Sequence, residues 1–235
     1  MENKPIKIYQ VGGSVRDELL GIKSKDIDYS VEAPSYDAMK AYIADVRKGT
    51  IFLESPEHFT IRAKIDGLGA ADFVLCRKDG SYSDGRHPDS VEVGTLLDDL
   101  ARRDFTMNAI AKAEDGTIHD PHHGAVDLSF GKIKCVGKAE DRFKEDSLRI
   151  LRAIRFSITK ELTLDGTVQR ALRDNELVNL LINVPVERIR EELVKCFAYD
   201  SYRTLQTLMY DYPYVGKKVF DAKNLWLKPT IIQET

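Results

Sequence analysis

The stretch KIYQVGGSVRDELLGIKSKDIDYSVEA (residues 7–33) decides the fold. KIYQV is a short apolar run that closes on Gly12 and Gly13, the pattern of a strand ending in a tight turn. SVRDELLG (14–21) follows as a short helix, with Ser14 placed to cap its start and Gly21 to end it. DIDYSVEA (26–33) reads as a second strand. Two glycines between a strand and a helix let backbone N–H groups approach a phosphate, and the helix N-terminus favours its negative charge. Asp26 and Asp28 stand two apart on the strand, so their carboxylates project from one face with Cα atoms about 7 Å apart. That spacing suits a pair of hard divalent cations, which bridge the phosphates of a nucleotide and activate an attacking hydroxyl. A Gly-Gly pair alone is usually a turn, and Asp-x-Asp alone is usually a solvated strand. Joined through one short helix, they are far more specific.

Outward from this stretch, SYDAMKAYIADV (35–46) reads as a helix with Ser35 at its N-cap, and HFTIRAKI (58–65) and ADFVLCR (71–77) as two more strands. KDGSYSDGRHPDS (78–90) is a polar loop long enough to suggest a working part. LLDDLARRDFTMNAIAK (96–112) starts helical, and Arg103-Asp104 breaks its pattern. From Ala139 onward the chain reads as helices over 139–158, 165–182, 186–198 and 200–210. The expected fold class is α+β: a mixed α/β module over residues 1–136 and an all-helical module over 137–235.

Two further constellations carry chemistry. Arg102 and Arg103 offer bidentate donors to phosphate oxygens, while Asp104 and Asn108 can hydrogen-bond a ribose. A helix end with a surface ion pair is the plainer explanation of such a triplet. In EDSLRILRAIRF (145–156), Asp146, Arg149, Arg152 and Arg155 step by three along one flank of the predicted helix, beside an apolar stripe of Leu148, Leu151 and Ile154. A carboxylate and a guanidinium one turn apart can read the edge of a base. Viewed alone, the segment is more often an amphipathic helix laced with salt bridges.

Composition sets the class. The chain has 235 residues, 43% of them hydrophobic and 31% charged, which rules out disordered and fibrous proteins. No apolar run approaches the roughly 20 residues of a membrane helix, and MENKPIKIYQVGG has no signal-peptide architecture, so a cytoplasmic protein is expected. Three separated cysteines, Cys76, Cys135 and Cys196, suit buried thiols. The net charge of −3 is uneven: −7 over residues 1–130 and +4 over 131–235. An acidic front half suits a site for cations, and a mildly basic back half suits a polyanion.

Five motifs in order (GGSVRDELLG…KDIDY, RRDFTMNAIA, DPHHGAVDL, EDSLRILRAIRFS and VPVERIREELVK) make the chain resemble the bacterial-type (class II) tRNA nucleotidyltransferases, or CCA-adding enzymes, and the related bacterial poly(A) polymerases. The resemblance covers about residues 7–197. It implies a nucleotidyltransferase-fold head and a helical neck, with template-independent, Mg²⁺-dependent transfer of CMP and AMP from CTP and ATP to the 3′ end of tRNA. Carried over, Asp26 and Asp28 bind two Mg²⁺ ions, and Asp72 stands where the family has a third acidic residue. Gly12, Gly13 and Arg16 hold the triphosphate, and Arg103, Asp104 and Asn108 contact sugar and phosphate. Asp146 and Arg149 form a protein template for the Watson–Crick edge, Glu145 orients Arg149, and Arg152 and Arg155 steady the nucleotide.

SYSDGRHPDSVEV (81–93), with Asp84, Arg86 and His87, resembles the flexible loop needed to switch from C to A addition, which favours full CCA or A addition over CC-only activity. His119, Asp120, His122 and His123 have metal-binding chemistry, but the family context makes this segment a structural turn, with Asp127 supporting the joint between head and neck. Relatives continue into a body and tail that grip tRNA, whereas here about 38 residues follow Phe197. A short stub after head and neck is therefore expected, in a naturally compact protein or a piece of a longer one. The way tRNA is held stays open, a homodimer being one solution. An A-adding or poly(A)-polymerase-like enzyme is the alternative within the family. A nucleotidyltransferase or RNA-end-binding module acting on another target is the alternative outside it.

Overall fold

The computed structural model describes residues 5–24, 27–82, 88–222 and 225. Two compact units divide the chain: Met1–Ser81 with Pro88–Gly137, and Tyr82–His87 with Lys138–Thr235. No helix among the described residues is long and apolar enough to cross a membrane.

The first unit is built on a seven-stranded mixed sheet. Its strands are β1 (Lys7–Val11), β2 (Asp28–Glu32), β3 (Thr50–Ser55), β4 (Thr60–Ile65), β5 (Gly69–Leu75), β8 (Ala111–Ala113) and β9 (Ile118–His119), with β6 (Arg77–Asp79) and β7 (Val91–Val93) forming a separate hairpin. The order is β3-β4-β5-β2-β1-β8-β9. Pairing is antiparallel except between β2 and β5, which run parallel with Asp28 opposite Asp72 and Tyr29 opposite Phe73. Alternation along β2 separates two cores. Tyr29 and Val31 join Met39, Ile43, Ile61 and Phe73 on one face. Tyr9, Val11, Leu96, Leu100 and Ala111 make the other.

Four α-helices lie among the described residues of this unit: α1 (Gly13–Leu19), α2 (Tyr36–Ala41), α3 (Leu96–Ala101) and α4 (Gly124–Ser129). Ser35 caps α2, its hydroxyl accepting from the Ala38 amide at 3.1 Å. Thr95 and Asp98 form a reciprocal capping box at α3. Ser14, expected as the cap of α1, instead lies within its first turn and donates to the Val11 carbonyl at 3.1 Å. The helix starts one residue early because Gly12 adopts φ +70° and ψ −130°, a conformation open to glycine, and turns the chain there. The sequence pattern also passed over β3, whose residues are mostly exposed and lack the apolar alternation of a half-buried strand.

The second unit is helical: α5 (Ala139–Glu145), α6 (Leu148–Thr159), α7 (Gly166–Arg173), α8 (Asn175–Asn179), α9 (Val186–Tyr199), α10 (Ser201–Gln206) and α11 (Pro213–Lys217). α6 packs against α9, burying Leu151, Ile154 and Ile158 on one side and Ile189, Leu193 and Cys196 on the other. The helix expected over 139–158 is broken at Asp146, which is extended at φ −148° and ψ 101°. Its carboxylate accepts from the Leu148 amide at 3.0 Å, so the side chain competes with the helix it was expected to continue and starts a new one.

The turn before α4 is tightly constrained. Asp120 accepts from the amides of Gly124 and Ala125 at 2.7 and 2.9 Å, and Asp127 accepts from Thr106 Oγ at 2.8 Å. A Cβ on Gly124 would stand 2.0 Å from the Thr106 carbonyl oxygen, which is backbone and cannot swing aside. Gly124→Ala is therefore expected to lower stability by about 2–3 kcal/mol, as overpacking does. Urea denaturation followed by circular dichroism measures this, and an unchanged midpoint would show that the turn can widen.

Candidate active site

β1 and β2 end at one point. Val11 pairs with Asp28, so the Gly12–Gly13 turn leaves β1 just where β2 starts with an exposed carboxylate. Asp72, on the other side of Asp28, belongs to the parallel neighbour β5 and is ion-paired with Arg62 of the adjoining β4 at 2.9 Å. Asp26 lies outside the described residues, as do Asp84, Arg86 and His87 of the loop. Among the described residues no group of three or more carboxylate, histidine or cysteine side chains is arranged to hold a metal ion, the 119–123 segment included. Asp28 and Asp72 still offer hard carboxylate oxygens on adjoining strands, the donor chemistry that a hard divalent cation takes.

The arginines and their partners arrange themselves around the glycine turn. Arg16, on α1, is 6% exposed and donates from Nη1 to Asn108 Oδ1 at 2.7 Å, while its Nη2 pairs with Asp17 at 2.7 Å. Asn108 in turn donates to Asp104 Oδ1 at 3.0 Å. Asp104 and Asn108, expected at sugar and phosphate, are thus joined in one connected chain to Arg16, expected at the triphosphate. It forms because the helix pattern fails after Ala101. The backbone then bends through Arg102–Phe105 into a short turn at Thr106–Asn108, and Asp104 Oδ1 accepts from the Phe105 amide at 2.8 Å.

Arg102 and Arg103 diverge from the side-by-side phosphate clamp that the sequence suggested. Arg102 donates from Nε and Nη2 to Asp99 Oδ1 at 3.0 and 2.6 Å. Arg103 donates from Nη2 to Asp99 Oδ2 at 2.9 Å and to Ser30 Oγ at 3.2 Å, and from Nη1 to the Asn108 carbonyl at 3.2 Å. Ser30 donates to Asp99 Oδ2 at 2.8 Å. Arg103 approaches the turn, where a Cβ on Gly12 would meet its Nη1 at 3.0 Å, and Arg16 lines the other glycine, its Nη2 standing 3.4 Å from a Cβ on Gly13. Sequence reasoning missed Asp99 and Ser30. The signal was an acidic residue three and four positions ahead of two arginines, and a serine two residues after Asp28 on the same strand face.

In the second unit Glu145 accepts from Arg149 Nη1 at 2.7 Å and from Arg142 Nη2 at 2.5 Å, the one-turn support expected for Arg149. Asp146 lies outside α6, so the flank of four residues reduces to Arg149, Arg152 and Arg155. Arg155 is ion-paired with Glu192 of α9, itself 4% exposed, and lies 3.9 Å from the centroid of the Phe156 ring; Arg152 lies 5.4 Å from that centroid. Glu192 also escaped the sequence reading, hidden in the charged run VERIREELVK. All three cysteines are free and buried, and burial pushes the Cys196 thiol up to about 12.

A mixed sheet of this order, with a glycine turn at the end of one central strand and carboxylates paired across the two strands beside it, is the head of a nucleotidyltransferase. The model of the poly A polymerase head domain matches residues 8–134, and the chain belongs to that family. The curated CCA-adding enzyme of Lactobacillus gasseri is 39% identical over 188 residues, 80% of this chain and 45% of the relative, and that of Leuconostoc mesenteroides is 37% identical over 196 residues, 83% and 47%. Among solved structures, the Bacillus stearothermophilus CCA-adding enzyme in complex with CTP superposes with a TM-score of 0.76 at 32% identity, covering 91% of this chain and 51% of that one. The Thermotoga maritima CCA-adding enzyme complexed with tRNA gives 0.72 at 27% identity, covering 95% and 50%. This chain spans about half the length of the curated relatives it matches.

Asp99 gives a test of the buried network. Burial by itself would raise its pKa, but Arg103 and Arg102 outweigh that and hold it at about 2. A carboxyl depressed from about 3.9 in the unfolded chain contributes stability that is fully present above pH 4 and is lost as pH falls towards 2, some 2–3 kcal/mol in all. Acid titration of unfolding free energy is expected to be shallower over that window in Asp99→Asn than in the wild type. Parallel curves would place the acid sensitivity elsewhere.

Proposed function

We propose that this chain transfers CMP and AMP from CTP and ATP to the 3′ end of tRNA, without a nucleic-acid template. The observation that carries the reading is the convergence on one end of the sheet of Asp28, the Gly12–Gly13 turn, Arg103, and the Arg16–Asn108–Asp104 chain. The family membership and the CCA-adding relatives support the reaction class.

In this reading the amides of the glycine turn and the guanidinium of Arg103 receive the triphosphate, whose oxygens accept hydrogen bonds from both. Asp104 and Asn108, already joined to Arg16, meet the ribose in a fixed orientation, and the ordering entropy is spent on folding before the nucleotide arrives. Asp28, with Asp26 and supported by Asp72, would hold the divalent cations, two in number. When bound, such ions acidify an attacking hydroxyl and neutralise charge on the phosphates. In the helical unit, Glu145 holds the Arg149 fork by one Nη, and Arg149 with Asp146 presents donors and acceptors to the base edge. Arg155 serves chiefly to join α6 to α9 through Glu192.

Transcripts of tRNA ending before CCA, after C and after CC, each given CTP, ATP or both with Mg²⁺, test the reaction. Stepwise C, C and a single A are expected. ATP-only products would move the assignment to A addition or polyadenylation, and no incorporation with nucleotide still bound would point to another acceptor. Asp28→Asn is expected to lower turnover by about 10³-fold or more, the scale of a lost electrostatic stabiliser. Arg149→Ala should narrow the preference between correct and incorrect nucleotide by about tenfold, one or two hydrogen bonds' worth. Retained selectivity would remove Arg149 from base reading.

A further inference from the structure

Asp99 is fully buried and belongs to neither the glycine turn nor the Asp28–Asp72 pair on β2 and β5. Its two oxygens divide their work. Oδ1 accepts Arg102 twice, at 3.0 and 2.6 Å. Oδ2 accepts Arg103 Nη2 at 2.9 Å and Ser30 Oγ at 2.8 Å. Ser30 stands on β2 two residues after Asp28 and on the same face, whereas Arg103 reaches from the end of α3 to the Gly12 position, where an added Cβ would come within 3.0 Å of it. Glu32, one alternation further along β2, accepts from the Leu96 amide at 2.7 Å and seats the start of α3 against the same face. A single carboxylate oxygen thus ties the strand bearing Asp28 to the arginine at the phosphate turn.

We propose that Asp99 is a positioning residue for nucleotidyl transfer. It fixes the Arg103 guanidinium against the Gly12–Gly13 turn, through a hydrogen-bonded triad with Ser30, so that the arginine meets the incoming triphosphate already oriented. This rests on the reading above in which Arg103 is a phosphate ligand. A guanidinium held at three points loses little freedom on binding, whereas one released from Asp99 has many rotamers and finds the phosphates in few of them.

The test uses the full chain with CTP, Mg²⁺ and a tRNA transcript ending before CCA, measuring KM and kcat, with CTP affinity by equilibrium titration alongside. Asp99→Asn keeps the shape and removes the charge. At a temperature well below the melting point of every variant, KM and Kd for CTP are expected to rise about tenfold. In a double-mutant cycle the same change on an Arg103→Ala background is expected to alter KM by less than about twofold, because the partner through which Asp99 acts is already gone. Ser30→Ala, which deletes one hydroxyl and is compatible with folding, is expected to raise KM by about two- to threefold.

A lowered melting point with unchanged KM in Asp99→Asn and Ser30→Ala, or losses that multiply in the cycle, would make Asp99 a structural anchor only and overturn the proposal. A wild-type chain that binds no CTP would overturn both this proposal and the functional reading beneath it. A wild type that binds and transfers, beside an Asp99→Asn variant that does so equally well, would overturn this proposal alone.

Discussion

A carboxylate withdrawn from water stays charged only where cations and hydrogen-bond donors replace its hydration, and Asp99 satisfies that condition with two guanidiniums and a hydroxyl. Much of the first unit's site follows from this. The pairing sets the end of α3, draws Arg102 away from the turn and directs Arg103 towards it. It also requires Ser30 to face α3, which the alternation of β2 provides on the same side as Asp28. A shift of one residue in that strand would bring Tyr29 and Val31 to the polar cluster and carry Ser30 and Asp28 into the apolar core.

Close approach is the companion constraint. Gly12 combines a left-handed φ with a guanidinium against its missing side chain, and Gly124 lies against a backbone carbonyl. At Gly124 the chain comes nearer to its neighbour than a β-carbon allows, whereas at Gly12 the left-handed φ is what requires glycine. The parallel pairing of β2 with β5 supplies the remaining element, setting Asp72 beside Asp28 although more than forty residues separate them in the chain.

The helical unit uses the same device. Glu145 holds Arg142 and Arg149, and Glu192 holds Arg155, so arginines that look alike in sequence have different fates. Arg149 is supported within one turn of local chain. Arg155 is committed to a partner thirty-seven residues away, which ties two helices together.

Local chemistry was legible. The glycine turn, Ser35 as a cap, a helix break near Arg103-Asp104 and the support of Arg149 by Glu145 all depend on residues a few positions apart, and short-range geometry allows few alternatives. Some local details were not: Ser14 was displaced from its cap by Gly12, and Asp146 broke a helix because its side chain satisfied a backbone amide. In both cases two local interactions of similar strength competed, and residue types do not rank them. By itself the sequence determined the α+β class and the motifs, because periodicity and turn chemistry are local properties. The tertiary structure alone decided which of Arg102 and Arg103 faces the glycine turn, which carboxylate holds it, and that Arg155 joins Glu192. Those choices depend on burial and on contacts across tens of residues, where the loss of water makes one pairing much better than the rest.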